Sequence, residues 1–206
     1  MEIPAAASQP PQPLKVTCTT TDCERGLHCF LTTKKLSEQN LGGACRVCGV
    51  QLVDWSRLHS RQIADMEYTF EALRRELIRH HFAHVPISQR AIDYARKKGW
   101  RKLEVAVLNR LTSSIGPAQP FRDGTQTPRE DSPKQNPIFY AQHGTATCCR
   151  RCVQEWYGIP LGVQLQSAEI TYFAALVMRY LRERLPQVTD DGERVSQRRS
   201  KDPNKQ

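Results

Sequence analysis

The chain has 206 residues, of which 39% are hydrophobic and 25% are charged, so it can form one ordinary domain or a small module joined to a larger one. Its 30 Lys and Arg against 21 Asp and Glu give a formal net charge of +9, which favours an acidic partner such as DNA or RNA. No stretch approaches the roughly 18 apolar residues of a membrane helix, and MEIPAAASQPPQPLK lacks the pattern of a secretory signal, so we expect a cytoplasmic protein.

Eight cysteines are present, and in a reducing compartment they favour metal ligation or thiol chemistry over disulfides. Residues 1–14 are rich in Pro, Ala and Gln and are predicted to be disordered, as is the polar, charged tail over 186–206. Between them, residues 15–56 contain five of the eight cysteines, and residues 57–185 carry most of the helical pattern. Composition therefore divides the chain into four parts.

The cysteine-rich front, residues 15–56, is predicted to form a small zinc-ribbon-like module. Two short segments, LHCFLTT and VQLVDW, have the composition of β-strands. The module has too little apolar material for a core of its own, and a bound metal would supply the missing stability. We therefore expect a mainly α protein with a small β-containing module at its front, an α+β fold overall.

Four cysteines of this module have the spacing of a closed zinc site. The pairs are Cys18 with Cys23, and Cys45 with Cys48 in the turn CRVCG. Two pairs about twenty residues apart supply the four thiolates of a structural site, which has no open position for water or substrate. The first pair has a gap of four residues, wider than the usual two, so His28 and Cys29 compete for its place.

The rest of the chain is predicted to be mainly helical. RQIADMEYTFEALRRELIRHHF repeats apolar residues every three or four positions and predicts one long helix. Two further helices meet at Gly99, and a proline-rich loop follows over 117–137. IFYAQ is predicted as a short buried strand or extended run, and two helices follow it, one ending before Gly158 and one ending at Pro186.

The stretch HGTATCCRRC, residues 143–152, is the second candidate site. Its CxxC begins a helix, where free backbone N–H groups, the helix dipole and two arginines favour thiolates. The candidate ligands of a second zinc ion are His143, Cys148, Cys149 and Cys152, with His84 in reserve. Two other interpretations stay open: a thiol nucleophile or redox pair, and cysteines that pack as small hydrophobic side chains.

Three longer segments have distinctive sequences: GPAQPFRDGTQTP at 116–128, NPIFYAQHGTATCCRRC at 136–152 and EWYGIPLG at 155–162. On these segments the chain resembles, from about Lys102 to Leu185, an uncharacterised bacterial family, the domain of unknown function 4186. The resemblance implies no activity, but it implies that the loop 121–128 and the His–Cys cluster belong to one site. Members often have a histidine where this chain has Tyr157, so that position is not an essential ligand here. The cysteine-rich front and the first long helix look like an extension found in a subset of relatives.

The first functional hypothesis is a zinc-stabilised protein that binds nucleic acid or is accessory to such a protein. In ARKKGWRK, residues 95–102, a tryptophan lies among basic side chains, a pattern that combines phosphate contacts with base stacking. The alternative is a solvated helix end followed by a core tryptophan. The candidate contacts to nucleic acid or another anion are Lys97, Lys98, Trp100, Arg101, Lys102, Arg122, Arg150 and Arg151.

The second hypothesis is a metal-dependent hydrolase, for example a nuclease. His143 and the neighbouring cysteines would hold zinc with one coordination position open, and Asp123 or Glu130 would act as base. No histidine is followed by glutamate two positions on, as the zinc deaminases require, and the HExxH, P-loop and GxSxG motifs are absent. Because no proton-transfer residue stands out, we favour the binding protein, with one or two zinc ions per chain.

Overall fold

The computed structural model describes residues 16–39, 42–129 and 136–194, and the regular structure in these ranges is helical. The α-helices in chain order are α1 (Lys34–Glu38), α2 (Trp55–Ser60), α3 (Met66–Arg74), α4 (Leu77–His84), α5 (Gln89–Ser114), α6 (Pro137–Gly144), α7 (Arg150–Tyr157) and α8 (Ser167–Arg184). The prediction of a mainly α chain is therefore confirmed. None of these helices combines the length and the apolar character needed to cross a membrane. The disorder predicted for residues 1–14, and for the tail beyond residue 194, falls outside the described residues.

The prediction of a β-containing, zinc-ribbon-like module at the front of the chain is wrong. In the part of the chain that the structure describes, β pairing is limited to two isolated bridges, one within the turn 22–27 and one between His28 and Glu76. In LHCFLTT, the backbone N–H of Thr32 bonds to a side chain instead of a strand: it donates to the Glu155 carboxylate at 3.0 Å. The strand candidates thus have no neighbouring strand within the described ranges, and the front is held by turns and side chains.

The single helix predicted for residues 61–82 is divided into α3 and α4 at Glu76. Glu76 has extended backbone dihedrals (φ −89°, ψ 126°), because the chain here pairs with the segment at His28. His28 N–H donates to Arg75 O at 2.8 Å, and Leu77 N–H donates to His28 O at 2.9 Å. The apolar periodicity continues across the break, so the pattern alone does not reveal it. The break anchors the front of the chain to the helical body.

IFYAQ, predicted as a strand or extended run, lies within helix α6. Asn136 caps this helix by accepting a hydrogen bond from Ile138 N–H at 2.9 Å, and Pro137 occupies its first turn, where a missing N–H costs little. A short apolar run does not distinguish a buried strand from a buried helix, which explains the error. Helix α6 packs against α4, α5 and α8 and is therefore central to the fold.

One hydrophobic core joins the front of the chain to the helices. Phe30 is buried and meets the rings of Trp55 and Trp156 edge-on, with a centroid distance of 5.9 Å to each. Trp55 begins α2, which packs on α7, and Trp156 belongs to α7. The described part of residues 15–56, which were predicted as a separate module, therefore shares its apolar contacts with the helical body.

Helix α5 is kinked at Gly99, where the two predicted helices meet. Gly99 has a φ of +68°, and a Cβ atom there would lie 2.2 Å from Gly192 N, so the position requires glycine. Residues 186–194 cross the kink, and Trp100 N–H donates to Thr189 O at 2.9 Å. This part of the tail, predicted to be disordered, is packed against α5.

Candidate metal centres

The first cluster of metal-ligating side chains (the front cluster) consists of Cys23, His28, Cys45 and Cys48. One ligand atom from each lies within 4.8 Å of all the others. Cys23 Sγ is 3.8 Å from Cys45 Sγ, and Cys48 Sγ is 3.5 Å from His28 Nδ1. Three thiols and one imidazole at these distances are the donor set of a tetrahedral Cys3His metal site.

Two tight turns bring these side chains together. In the turn CRVCG, Gly49 N–H donates to Cys45 O at 2.9 Å, and Gly49 adopts a φ of +75° that glycine tolerates best. Burial opposes ionisation of Cys45, but hydrogen bonds from backbone N–H groups lower its pKa to about 6, which favours the thiolate that a metal needs. In the other turn, residues 22–27 pair their ends and place Cys23 beside His28.

His28 takes the place in the front cluster that the sequence assigns to Cys18. Cys18 belongs to neither group of mutually close ligand atoms, but its side chain interacts with Cys152 at the start of α7, which lowers the pKa of Cys18 to about 5. Cys29, the predicted reserve ligand, is buried and donates its S–H to Cys18 O at 3.1 Å. Burial raises the pKa of Cys29 to about 11, so it stays a neutral thiol. Neighbouring side chains on an extended segment point to opposite sides, so Cys29 points away from the front cluster that His28 joins.

The second cluster (the helix cluster) consists of Cys148, Cys149 and Cys152 at the start of α7. Their three sulphur atoms lie within 4.8 Å of one another, with 3.6 Å between Cys148 and Cys152. Cys149 caps α7 and accepts a hydrogen bond from Cys152 N–H at 3.4 Å. Cys148 and Cys152 are buried and Cys149 is half-buried. The turn before α7 thus places the adjacent thiols of Cys148 and Cys149 close together. The thiol of Cys152, in the first turn of α7, joins them.

His143, a predicted ligand of the second site, is not a member of the helix cluster. It lies on α6, stacks on Phe82 at a centroid distance of 4.5 Å, and its Nε2–H donates to Thr127 O at 3.2 Å. Burial lowers the pKa of His143 to about 4, so its imidazole is neutral at physiological pH. His84, the predicted reserve ligand, is exposed, and its Nδ1 pairs with His80 O at 2.8 Å.

A buried Arg79–Glu76 ion pair lies against the helix cluster. Arg79 Nη2 is 3.1 Å from Cys152 Sγ, and Nη1 is 4.0 Å from Cys148 Sγ. Arg79 Nε donates to the Glu76 carboxylate at 2.9 Å, and both side chains are 1% exposed. Burial opposes the charge of Arg79, but the neighbouring Cys152 and Glu76 groups raise its pKa further above the ordinary value. The helix cluster therefore has a permanent cation that hydrogen-bonds to two of its sulphurs.

Glu76 connects the helix cluster to the front cluster. Its carboxylate accepts from Trp156 Nε1 at 3.1 Å as well as from Arg79, while its backbone pairs with His28. Burial raises the pKa of Glu76, and the Arg79 charge opposes that shift. The only sequence signal for this pair is a Glu–x–x–Arg spacing, which exposed helical pairs share. Sequence reasoning therefore misses both residues.

Two of the eight predicted anion-binding side chains, Arg150 and Trp100, are used within the protein. The buried Arg150 guanidinium donates to four backbone carbonyls at 2.6–3.2 Å, those of Ile115, Pro117, Pro160 and Val163. Trp100 is 9% exposed and lies beneath Arg182, whose guanidinium is 5.2 Å from the ring centroid, so it does not present a face for base stacking. The other six predicted side chains remain accessible. Lys98 is half-buried, and the exposed ones are Lys97, Arg101, Lys102, Arg122 and Arg151.

Asp123, a predicted catalytic base, has a structural contact. It caps helix α7 by accepting a hydrogen bond from Arg150 N–H at 3.0 Å, although it also lines an open cavity of about 460 Å³. Glu130, the other candidate base, lies outside the described residues. The loop between these positions reaches the helix cluster, since Thr127 Oγ1 donates to Cys148 O at 3.0 Å. The loop is thus in direct contact with the segment that carries the helix cluster.

A protein family described as a domain of unknown function, DUF4186, matches residues 67–182, more than half of the chain. The match begins well before Lys102, where the resemblance was expected to start, so α3 and α4 belong to the family region rather than to an extension. It contains the helix cluster together with Glu76 and Arg79, whereas the front cluster precedes it. No solved structure matches the chain significantly.

Proposed function

We propose that this chain, which belongs to the DUF4186 family of unknown function, is a zinc-binding protein whose metal stabilises the fold. The observation that carries the proposal is the convergence of four ligand atoms in the front cluster. A soft donor set of thiols and imidazole in a tetrahedral arrangement favours zinc among the common divalent metals. Four protein ligands leave no coordination position for substrate, which supports a structural role.

The metal content of the purified protein tests this proposal. We expect the Cys48→Ser variant to lose one zinc ion per chain relative to the unsubstituted protein, because Cys48 is a front-cluster ligand. Cys48 is exposed, so its substitution leaves the core intact. The matched control is Cys29→Ser, because a serine hydroxyl can replace the S–H that Cys29 donates to Cys18 O. An unchanged zinc content in Cys48→Ser, or zinc-free starting protein, would contradict the proposal.

The hydrolase alternative has less support from the described residues. Its imidazole, that of His143, is hydrogen-bonded to Thr127 O and lies outside the helix cluster. Its base, Asp123, is engaged with the first N–H group of α7. A hydrolytic site needs an open metal position and a nearby base, and neither candidate is placed for that task.

We further propose that accessible basic side chains of α5 bind the phosphates of nucleic acid. Lys97, Arg101 and Lys102 are exposed on this helix. Arg101 pairs with Asp191 at 3.0 Å, but the two side chains are 75% and 78% exposed, and such pairs contribute little. Because Trp100 is buried, the interaction would rest on charge alone, without base stacking.

A mobility-shift assay over a salt series tests this second proposal. We expect similar binding to DNA and RNA. For duplex DNA, the logarithm of the association constant should fall by about 0.9 per phosphate contact for each tenfold rise in salt concentration. The double variant Lys97→Gln, Lys102→Gln should weaken binding and reduce the salt slope. Lys34→Gln is the control, since Lys34 is an exposed lysine on α1. Absence of binding at low salt, or equal effects of both variants, would remove this proposal.

A further inference from the structure

The helix cluster supplies three thiols, and the fourth ligand decides what kind of metal site it forms. Zinc bound by three protein ligands keeps a position open to water or substrate, as in catalytic sites, whereas four protein ligands close the site. Two side chains from other parts of the chain are close enough to consider, His143 and Cys18. The structure treats them differently.

His143 is held away from the helix cluster. Its Nε2–H is used by Thr127 O and its ring stacks on Phe82, so turning it would lose both contacts. Its Nδ1 is buried without a hydrogen-bond partner, yet neither ring nitrogen joins the three sulphurs within 4.8 Å. The imidazole is therefore packed as a neutral core group.

Cys18 lies near the helix cluster, although its sulphur is not one of the three that all lie within 4.8 Å of one another. Its side chain interacts with that of Cys152. The loop that bonds to Cys148 through Thr127 also carries Arg129, which contacts Cys18. Arg129 fixes this segment at two points, with Nη1 donating to Val16 O at 2.8 Å and Nη2 lying 3.8 Å from Cys18 Sγ. The Cys29 S–H donates to Cys18 O at 3.1 Å and anchors the other side.

We propose that Cys18 is the fourth ligand, so that Cys18, Cys148, Cys149 and Cys152 bind one zinc ion in a closed tetrathiolate site. The inference rests on the proposed function in that the chain must bind zinc. It goes further by adding a second ion and by giving it a structural role. The ion would tie the cysteine-rich front to the start of α7, within the family region.

The charges around the four sulphurs fit this assignment. A Zn²⁺ ion with four thiolates has a net charge of −2, which is costly to bury unless cations lie nearby. Arg79 contacts the sulphurs of Cys148 and Cys152, and Arg129 contacts the sulphur of Cys18. Hydrogen bonds from such groups to metal-bound ligands orient the ligands and stabilise the site. The otherwise expensive burial of Arg79 thereby acquires a reason.

Zinc retention under a chelator challenge tests the fourth ligand. The unsubstituted protein is expected to hold two zinc ions per chain, one for each cluster. Cys18→Ser should release one ion at a chelator concentration at which Cys29→Ser keeps both, because a serine hydroxyl at residue 29 can still donate to Cys18 O and keep that anchor. Replacing zinc by Co²⁺ gives a second readout, because the thiolate-to-cobalt absorption decreases when one sulphur ligand is lost. Retention of both ions and an unchanged cobalt spectrum in Cys18→Ser would overturn the assignment.

Alkylation of the unsubstituted protein keeps the test valid if Cys18→Ser fails to fold. Cys18 and Cys149 are both half-buried, and we expect them to become reactive together when the chelator removes the second ion. Reaction of Cys18 at the same rate with and without metal would overturn the assignment. If Cys48→Ser loses the front ion and no second ion exists, this inference fails while the proposed function stands. If no zinc is bound at all, both fail.

Discussion

Removal of zinc by a chelator is expected to lower the thermal unfolding midpoint of this protein by more than about 20 °C. Structural zinc contributes about 10 kcal/mol or more in small zinc-dependent modules, and each kcal/mol shifts the midpoint of a chain of this size by about 2–4 °C. We expect the front of the chain to depend on the metal strongly, because its β pairing within the described residues amounts to two isolated bridges. Differential scanning calorimetry with and without chelator measures the effect.

Two controls separate metal loss from other effects of the chelator. Zinc added in excess over the chelator should restore the original midpoint. Cys29→Ser should show the same chelator-dependent decrease as the unsubstituted protein, because Cys29 belongs to neither cluster. If zinc is shown to have left the protein and the midpoint stays unchanged, the metal does not stabilise the fold.

Substitution of Arg79 by Met is expected to destabilise the protein by about 3–5 kcal/mol, because it leaves a buried charge without its partner. Glu76 is 1% exposed and would lose its cation, and Cys148 and Cys152 would lose their guanidinium contact. We therefore also expect the helix cluster to release its metal at a lower chelator concentration. Chemical unfolding measured at saturating zinc gives the change in free energy.

A double-mutant cycle shows whether the ion pair causes this loss. Glu76→Gln removes the charge but keeps an oxygen that can accept from Trp156 Nε1, so Arg79→Met should cost about 1–3 kcal/mol less in a Glu76→Gln background. Arg74→Met is the matched surface control, since Arg74 pairs with Glu183 and both are exposed. Its cost should stay within about 1 kcal/mol. Equal costs for Arg79→Met and Arg74→Met would show that the buried cation is not required.

Local sequence signals predict the turns of this protein better than they predict its long-range contacts. The turn CRVCG can be recognised from the sequence as part of a candidate metal site, because its cysteine spacing and its glycine are properties of adjacent residues. The proposed role of Cys18 as a ligand of the helix cluster depends on the path of the chain, and nothing in the sequence near residue 18 indicates that its side chain interacts with Cys152. The break at Glu76 is hidden for the same reason, because its cause is a backbone partner at His28.

Buried hydrogen bonds give a structural role to polar residues of the segments around the helix cluster. Gln142 Nε2 donates to Ser114 Oγ and to Thr147 O, at 3.1 and 2.9 Å. Tyr157 Oη donates to Thr145 O at 2.5 Å, which gives Tyr157 a structural role. These polar side chains hold the turn that carries the cysteines. A sequence pattern of this kind shows that a region is constrained, but not whether the constraint serves chemistry or folding.

X-ray absorption spectroscopy at the zinc edge, combined with elemental analysis, tests the central claim most directly. We expect two zinc ions per chain and a first shell dominated by sulphur at about 2.3 Å, with a minor nitrogen contribution at about 2.0–2.1 Å from His28. Protein without zinc, or zinc in a shell dominated by oxygen, would contradict the claim that cysteine-bound metal holds this fold together.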